Sequence, residues 1–203
     1  MHHRYTQEFQ ITNDLYKPVF TAIEDANLDG DVYIIMRDLL TPIHFDDIDA
    51  IHYNKMYTDV RIVIEWIFRS MIKNGILPPS LQSRQRGKDQ INLTWASKFL
   101  AGDPDVKSNV SIVTDKITFP KIIADIVKNL IYICGSKEHT SEVSKEENLN
   151  VKEHLVFVGN TPYLLRSATL QLCDVIIWYA HYLKENPDPM ENSTNWVISG
   201  PLQ

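Results

Sequence analysis

Thr161-Pro-Tyr-Leu-Leu-Arg166-Ser-Ala-Thr-Leu-Gln171-Leu-Cys-Asp-Val-Ile176-Ile-Trp-Tyr-Ala-His181-Tyr-Leu-Lys-Glu185 is the stretch around which the rest of the chain has to be arranged. Its ends are marked. Thr161 suits an N-cap, and Pro162 suits the first helical position, where no backbone N–H is needed. Pro187 disfavours the helical conformation for Asn186 and stops the run. Ser167, Gln171, Asp174, Trp178, His181 and Glu185 recur at alternating four- and three-residue steps and trace one narrow stripe. Leu164, Leu165, Ala168, Leu170, Leu172, Val175, Ile176, Ile177, Tyr179 and Leu183 cover most of the remaining circumference. A helix apolar on so many sides belongs at the centre of a domain, and about 25 residues suffice to span a small one. Trp178 is the one large apolar residue on the polar stripe, so it and His181 are expected to meet a partner chain or another element.

Two further helices are legible. One runs from Asp46 to Asn74, with Ile48, Ile51, Val60, Val63, Ile64, Ile67, Phe68, Met71 and Ile72 on its core face. Arg61, Glu65 and Arg69 form an i, i+4 ladder on its polar side, Gly75 supplies a left-handed cap, and Pro78-Pro79 prevents continuation. The other starts at an N-cap Thr118 with Pro120 in its first turn and ends at Gly135. Its apolar residues are Ile122, Ile123, Ile126, Val127, Leu130, Ile131 and Ile133, with Lys121, Asp125, Lys128 and Tyr132 on the polar side. The expected fold is all-α: one domain over 1–203, a helical bundle of three long apolar helices with a few short accessory helices or strands. Residues 1–45 form an N-terminal accessory segment, 46–185 the bundle and 186–203 a tail.

The remaining segments read less sharply. Tyr5 to Glu24 suggests one broken or two short helices around Pro18, and Asp25 to Asp31 a turn. Val32 to Leu40 suits either strand or helix, broken by Thr41-Pro42. Ser80 to Lys88 reads as a polar, basic connection, Asn92 to Leu100 as a short helix closed by Ala101-Gly102, and Asp103 to Lys116 as loop with one strand at Val110 to Val113. Ser136 to Lys152 reads as a charged connection, His154 to Val158 as a strand, and Trp196 to Ile198 as another.

A chain of 203 residues with 44% hydrophobic and 23% charged residues can bury a sizeable core. Its net charge of −6 argues against a general nucleic-acid coat protein while leaving room for a local basic patch. Cys134 and Cys173 fall inside apolar helical patterns and read as buried free thiols. No secretory segment or membrane-length apolar run is visible, so a cytoplasmic protein without membrane contact is expected. The end at Ser199-Gly-Pro-Leu-Gln203 suggests a piece of a longer chain with a further domain.

Few constellations carry chemistry. Asp25-x-Asn27-x-Asp29-Gly30-Asp31-Val32 opens like a calcium loop, yet position twelve is Met36, which offers no oxygen. An Asp/Gly-rich helix connection is the expected reading. His44, Asp46, Asp47, Asp49 and His52 read as the acidic start of a helix, since their spacing fits no zinc pattern. No metal and no cofactor is expected. Arg84, Arg86 and Lys88 lie near Trp95, a combination able to clamp phosphate and stack a base, against a solvated loop as the plainer reading. His139, just beyond a helix C-terminus, suits the negative end of the dipole; Arg166, at the start of the neighbouring helix, or Lys137 could instead share a phosphate with it.

Arg61-x-x-x-Glu65 in a long early helix, Gly75-Ile-Leu-Pro after it, a helix followed by Gly135-x-x-x-His139, and a closing apolar helix resemble the HEPN superfamily, helical domains of prokaryotic defence and toxin systems. The resemblance spans roughly Asp46 to Glu185. It implies a helical domain that pairs into a homodimer and engages RNA or a nucleotide. In the family's ribonucleases an arginine stabilises phosphate charge and a histidine acts as general acid or base. His139 matches that histidine, whereas Ile133, Cys134 and Gly135 stand where the arginine belongs. The resemblance therefore implies a non-catalytic nucleic-acid-associated or protein-interaction module. Its alternatives are a metal-independent endoribonuclease using His139, with Arg166 as the cation, and a purely structural domain.

Overall fold

The computed structural model describes residues 2–46, 53–85, 88–103, 111–114, 116–135 and 163–199. These are mostly α-helical. The N-terminal region resolves into two helices, α1 (His2–Leu15) and α2 (Lys17–Asp25), with Pro18 in the first turn of the second, where its missing N–H costs nothing. Asn27 takes a left-handed backbone (φ 46°), and the Asp29 carboxylate accepts from the Asp31 N–H at 3.0 Å, capping α3 (Gly30–His44). The calcium-like run is thus a helix connection, and Met36 points into the core with no exposed surface.

The ambiguous segment after it is helical, and Thr41-Pro42 does not break it. Pro42 sits inside α3 only two residues before its end. It forfeits one ladder bond there, and the Thr41 hydroxyl adds a bond to the Arg37 carbonyl at 2.8 Å and another to the buried Thr12 hydroxyl at 3.1 Å. Arg37 over Phe9, Thr41 on Thr12 and His44 against Tyr16 occur in the same chain order on both helices, so α1 and α3 run parallel.

Helix α4 (Tyr53–Lys73) buries Val60, Val63, Ile64, Ile67, Phe68 and Met71, as its periodicity predicts. Asp46 is not part of it, having a left-handed φ of 57°, and Ile48 and Ile51 lie outside the described residues. Glu65 and Arg69 pair at 2.5 Å. Gly75 terminates the helix at φ 69°.

Within the polar connection expected at Ser80 to Lys88, the described residues form regular structure rather than loop. A short 3-10 turn (Pro79–Leu81) leads into an antiparallel hairpin of β1 (Gln82–Gln85) and β2 (Lys88–Ile91), in register from Gln82↔Ile91 to Gln85↔Lys88. Leu81 and Ile91 are buried at its base and tie both ends to the core. Helix α5 (Leu93–Leu100) follows, capped by Asn92, whose side chain accepts from the Trp95 N–H at 3.0 Å. Gly102 closes it at φ 74°.

Strand β3 (Ser111–Thr114) pairs antiparallel with β4 (Trp196–Ser199), from Ser111↔Ser199 to Thr114↔Trp196. Helix α6 (Lys121–Gly135) begins later than expected: Pro120 supplies the first helical carbonyl, to the Ala124 N–H at 2.9 Å. Thr118 is not its cap. The Thr118 and Phe119 N–H groups donate instead to the Leu100 carbonyl, at 3.1 and 2.8 Å, and splice the end of α5 to the start of α6. The capping roles of Thr161 and Pro162, the Ser136 to Lys152 connection and the His154 to Val158 strand fall outside the described residues.

Helix α7 (Tyr163–Glu185) is the central one, packed against α2, α3, α4 and α6. Leu165, Ala168, Leu172, Val175, Ile176 and Tyr179 are buried along it. Ser167, Asp174 and His181 are exposed as expected, but the open face extends to Leu170 and Ile177 rather than to Gln171 and Trp178. Trp178 is half-buried, edge-on to Phe119 at 5.1 Å and tilted against Tyr182 at 5.5 Å. Phe119, carried in by the α5–α6 splice, covers that flank and leaves the opposite one open.

Short helix α8 (Pro189–Ser193) and β4 then fold back over the end of α4. The Asn192 amide donates to the carbonyls of Asn74 and Asn186, both at 3.0 Å, and the Trp196 indole N–H donates to the Gly75 carbonyl at 2.9 Å. This leaves no space at Gly75: a Cβ there would stand 2.2 Å from the Pro189 carbonyl oxygen. Gly75→Ala therefore combines a strained φ with a backbone clash, and chemical denaturation is expected to show a loss of more than about 2 kcal/mol.

Candidate nucleic-acid interface

The residues singled out for phosphate chemistry divide into two groups. Arg84 lies on β1 and Lys88 opens β2, with Arg84 opposite Asp89 and Gln85 opposite Lys88 in the ladder; Arg86 lies outside the described residues. Trp95 is half-buried one turn into α5, immediately after β2. Pairing thus gathers Arg84 and Lys88 at the free end of one hairpin whose base is held by Leu81 and Ile91. The backbone at Arg84 and at Lys88 is itself part of a paired ladder rather than a slack connection, which lowers the entropy a phosphate would have to remove there on binding.

The second group surrounds the end of α6. His139 and Lys137 lie outside the described residues. Arg166, in the first turn of α7, donates from Nη2 to Asp46 Oδ1, and the arginine side chain is only 27% exposed. Its Nε is buried without a hydrogen-bond partner. This guanidinium is already committed to a carboxylate from the far end of α3, so an incoming phosphate has to compete with Asp46 for it. Nothing local in sequence announces the pair, since Asp46 and Arg166 are 120 positions apart. Asp46 is the partner that sequence reasoning missed.

Other candidates carry less. His44 packs edge-on against Tyr16 at 6.3 Å and Phe45 at 4.9 Å. A shallow cavity of about 470 Å³ opens beside the α2–α3 turn, lined by Ile23, Glu24, Asn27, Leu28, Gly30 and Tyr33. One carboxylate there cannot build a cation cage. Among the described residues no group of three or more His, Cys, Asp or Glu is placed to hold a metal ion. Also among them, no helix is long and apolar enough to cross a membrane.

Cys134 and Cys173 are free and buried, as their apolar contexts predict. Burial, reinforced by the neighbouring Asp174 charge, pushes the Cys173 thiol up to about 12, against a smaller opposing effect of its own backbone N–H, while the thiol donates to the Thr169 carbonyl at 3.3 Å. A thiol so shifted is not a nucleophile at neutral pH.

Two outcomes follow from these placements. Arg166→Ala removes a partly exposed pair and is expected to cost less than about 1 kcal/mol in thermal denaturation. Cys173 is expected to resist iodoacetamide at pH 8 until the protein is unfolded. Because its folded value is raised above the ordinary 9.0, its contribution to stability is constant below pH 9 and declines between pH 9 and about 12. No family model, curated protein or solved structure matches this chain.

Proposed function

We propose that this chain is a HEPN-like, non-catalytic module of a prokaryotic defence or toxin-type system that engages single-stranded RNA through the β1–β2 hairpin and works as a homodimer. The observation that carries the reading is the hairpin itself. In a chain of net charge −6, Arg84, Arg86 and Lys88 fall within five residues of one another, on and between paired strands anchored to the core. Trp95, half-buried next to the base of that hairpin, is the aromatic nearest in sequence for base stacking. The engagement of Arg166 by Asp46 supports the non-catalytic side of the reading, because the cation assigned to His139 is already paired.

A fluorescence-anisotropy titration of a single-stranded RNA oligonucleotide tests this. The triple variant Arg84→Ala, Arg86→Ala, Lys88→Ala is expected to bind at least about tenfold more weakly at low salt. Its salt slope is expected to fall by about 2, at about 0.7 for each phosphate contact removed. Equal binding by variant and native protein overturns the hairpin assignment. RNA is expected to remain intact in the presence of EDTA; cleavage that disappears in His139→Ala overturns the non-catalytic reading.

A further inference from the structure

We propose that two copies of this chain pair antiparallel through the exposed stripe of α7, with Ile177 beside the two-fold axis and Asp174 of each copy facing the partner's His181. The inference rests on the dimer reading above and adds the surface, its orientation and its register.

Tyr163, Leu170 and Ile177 are 69%, 45% and 40% exposed, and they recur every seven residues on one face of α7. Ser167, Asp174 and His181 stand between them and are exposed as well. Together the six residues alternate in steps of four and three, the spacing of a helix–helix seam. The rest of α7 is packed against α2, α3, α4 and α6, so this seam is its one open side among the described residues.

Charge decides what covers it. A second α7 running parallel would stack Asp174 on its own copy and His181 on its own copy. An antiparallel pair centred between Leu170 and Ile177 would bring the two Asp174 carboxylates together at the axis. An antiparallel pair centred just past Ile177 avoids both conflicts. Asp174 and His181 then lie about 5 Å on either side of the axis, at 1.5 Å per residue, so each carboxylate meets the partner's imidazole. Ile177 meets its own copy at the centre, and Leu170 lies along the alkyl stem of the partner's Lys184. His181 is already 3.6 Å from its own Glu185, so in the pair it sits between two carboxylates. One narrow seam buries less than a standard interface, which makes the dimer concentration-dependent.

Single-cysteine oxidation tests the register, because Cys134 and Cys173 are buried and leave the new thiol to report. Ile177→Cys is expected to form a disulfide-linked dimer under mild oxidation. Leu170→Cys is expected not to, since it lies about 20 Å from its own copy along the axis. Cross-linking at both positions indicates a parallel pair and overturns the inference, and so does cross-linking at neither. Light scattering supplies the second measurement. Asp174→Lys is expected to weaken the dimer at least about tenfold, and the swap Asp174→His with His181→Asp is expected to restore it. Helical circular dichroism should be unchanged throughout, because these side chains are exposed. A dimer indifferent to Asp174→Lys overturns the surface but leaves the dimer reading standing. A native protein that stays monomeric at high concentration overturns both, and RNA binding by the hairpin is read separately in the anisotropy assay.

Discussion

A single hydroxyl pair in the α4–α7 interface holds the fold to one arrangement. Tyr179, fully buried on α7, donates its O–H to Ser70 Oγ on α4 at 2.8 Å. Leaving that phenol without a partner costs about 1–3 kcal/mol, so rotating or sliding α7 against α4 is penalised. Without such a mark, a helix apolar on most sides could pack equally well in several rotations. Burial pushes the Tyr179 phenol above its usual range and outweighs the lowering influence of the Ser70 and Asn74 side chains, so it stays a neutral donor at all physiological pH values.

The same point ties in the C-terminal end of the chain. Asn74 reinforces Ser70 through its amide at 2.8 Å to the Ser70 carbonyl, and its own carbonyl accepts from Asn192. Asn192 and Trp196 in turn satisfy the carbonyls of Asn186 and Gly75, groups freed where α7 and α4 end. Orphan groups of two helix ends are thus answered by residues that arrive after both helices. This is why α8 and β4 return to the end of α4, although neither buries much apolar surface.

What could be read from sequence was whatever a local signal states. Gly75, Asn92 and Pro18 mark helix ends through conformations or caps that need no distant partner, and the period of Val60 to Met71 states the buried face of α4. The hairpin at Gln82–Ile91 was not legible, because its residues are polar on both faces and lack the alternation that betrays a strand. The Asp46–Arg166 pair was invisible for a different reason, being a contact between chain segments with nothing local to relate them. On α7 the centre of the open face was legible from Ser167, Asp174 and His181. Its flank was not: Trp178 and Ile177 are both apolar, and which one stays open depends on where Phe119 arrives from a neighbouring helix.

If the proposed reading holds, an acidic chain with one small basic hairpin faces an electrostatic problem in holding RNA. Its net charge of −6 repels an approaching polyanion within about a Debye length, beyond which salt screens it, and three cations at close range supply only weak, salt-sensitive attraction. A second copy changes the balance without any new contact to the nucleic acid. Two hairpins on one assembly would let the second engagement occur at a high effective concentration, which multiplies affinity by orders of magnitude when the span fits. The antiparallel α7 pair proposed above would have the two-fold symmetry to present both hairpins equivalently, and its seam would consume none of Arg84, Arg86, Lys88 or Trp95. On the proposed reading, self-association through the central helix and RNA engagement through the hairpin would be separable in sequence yet coupled in effect, because a patch of three charges would be adequate only when doubled.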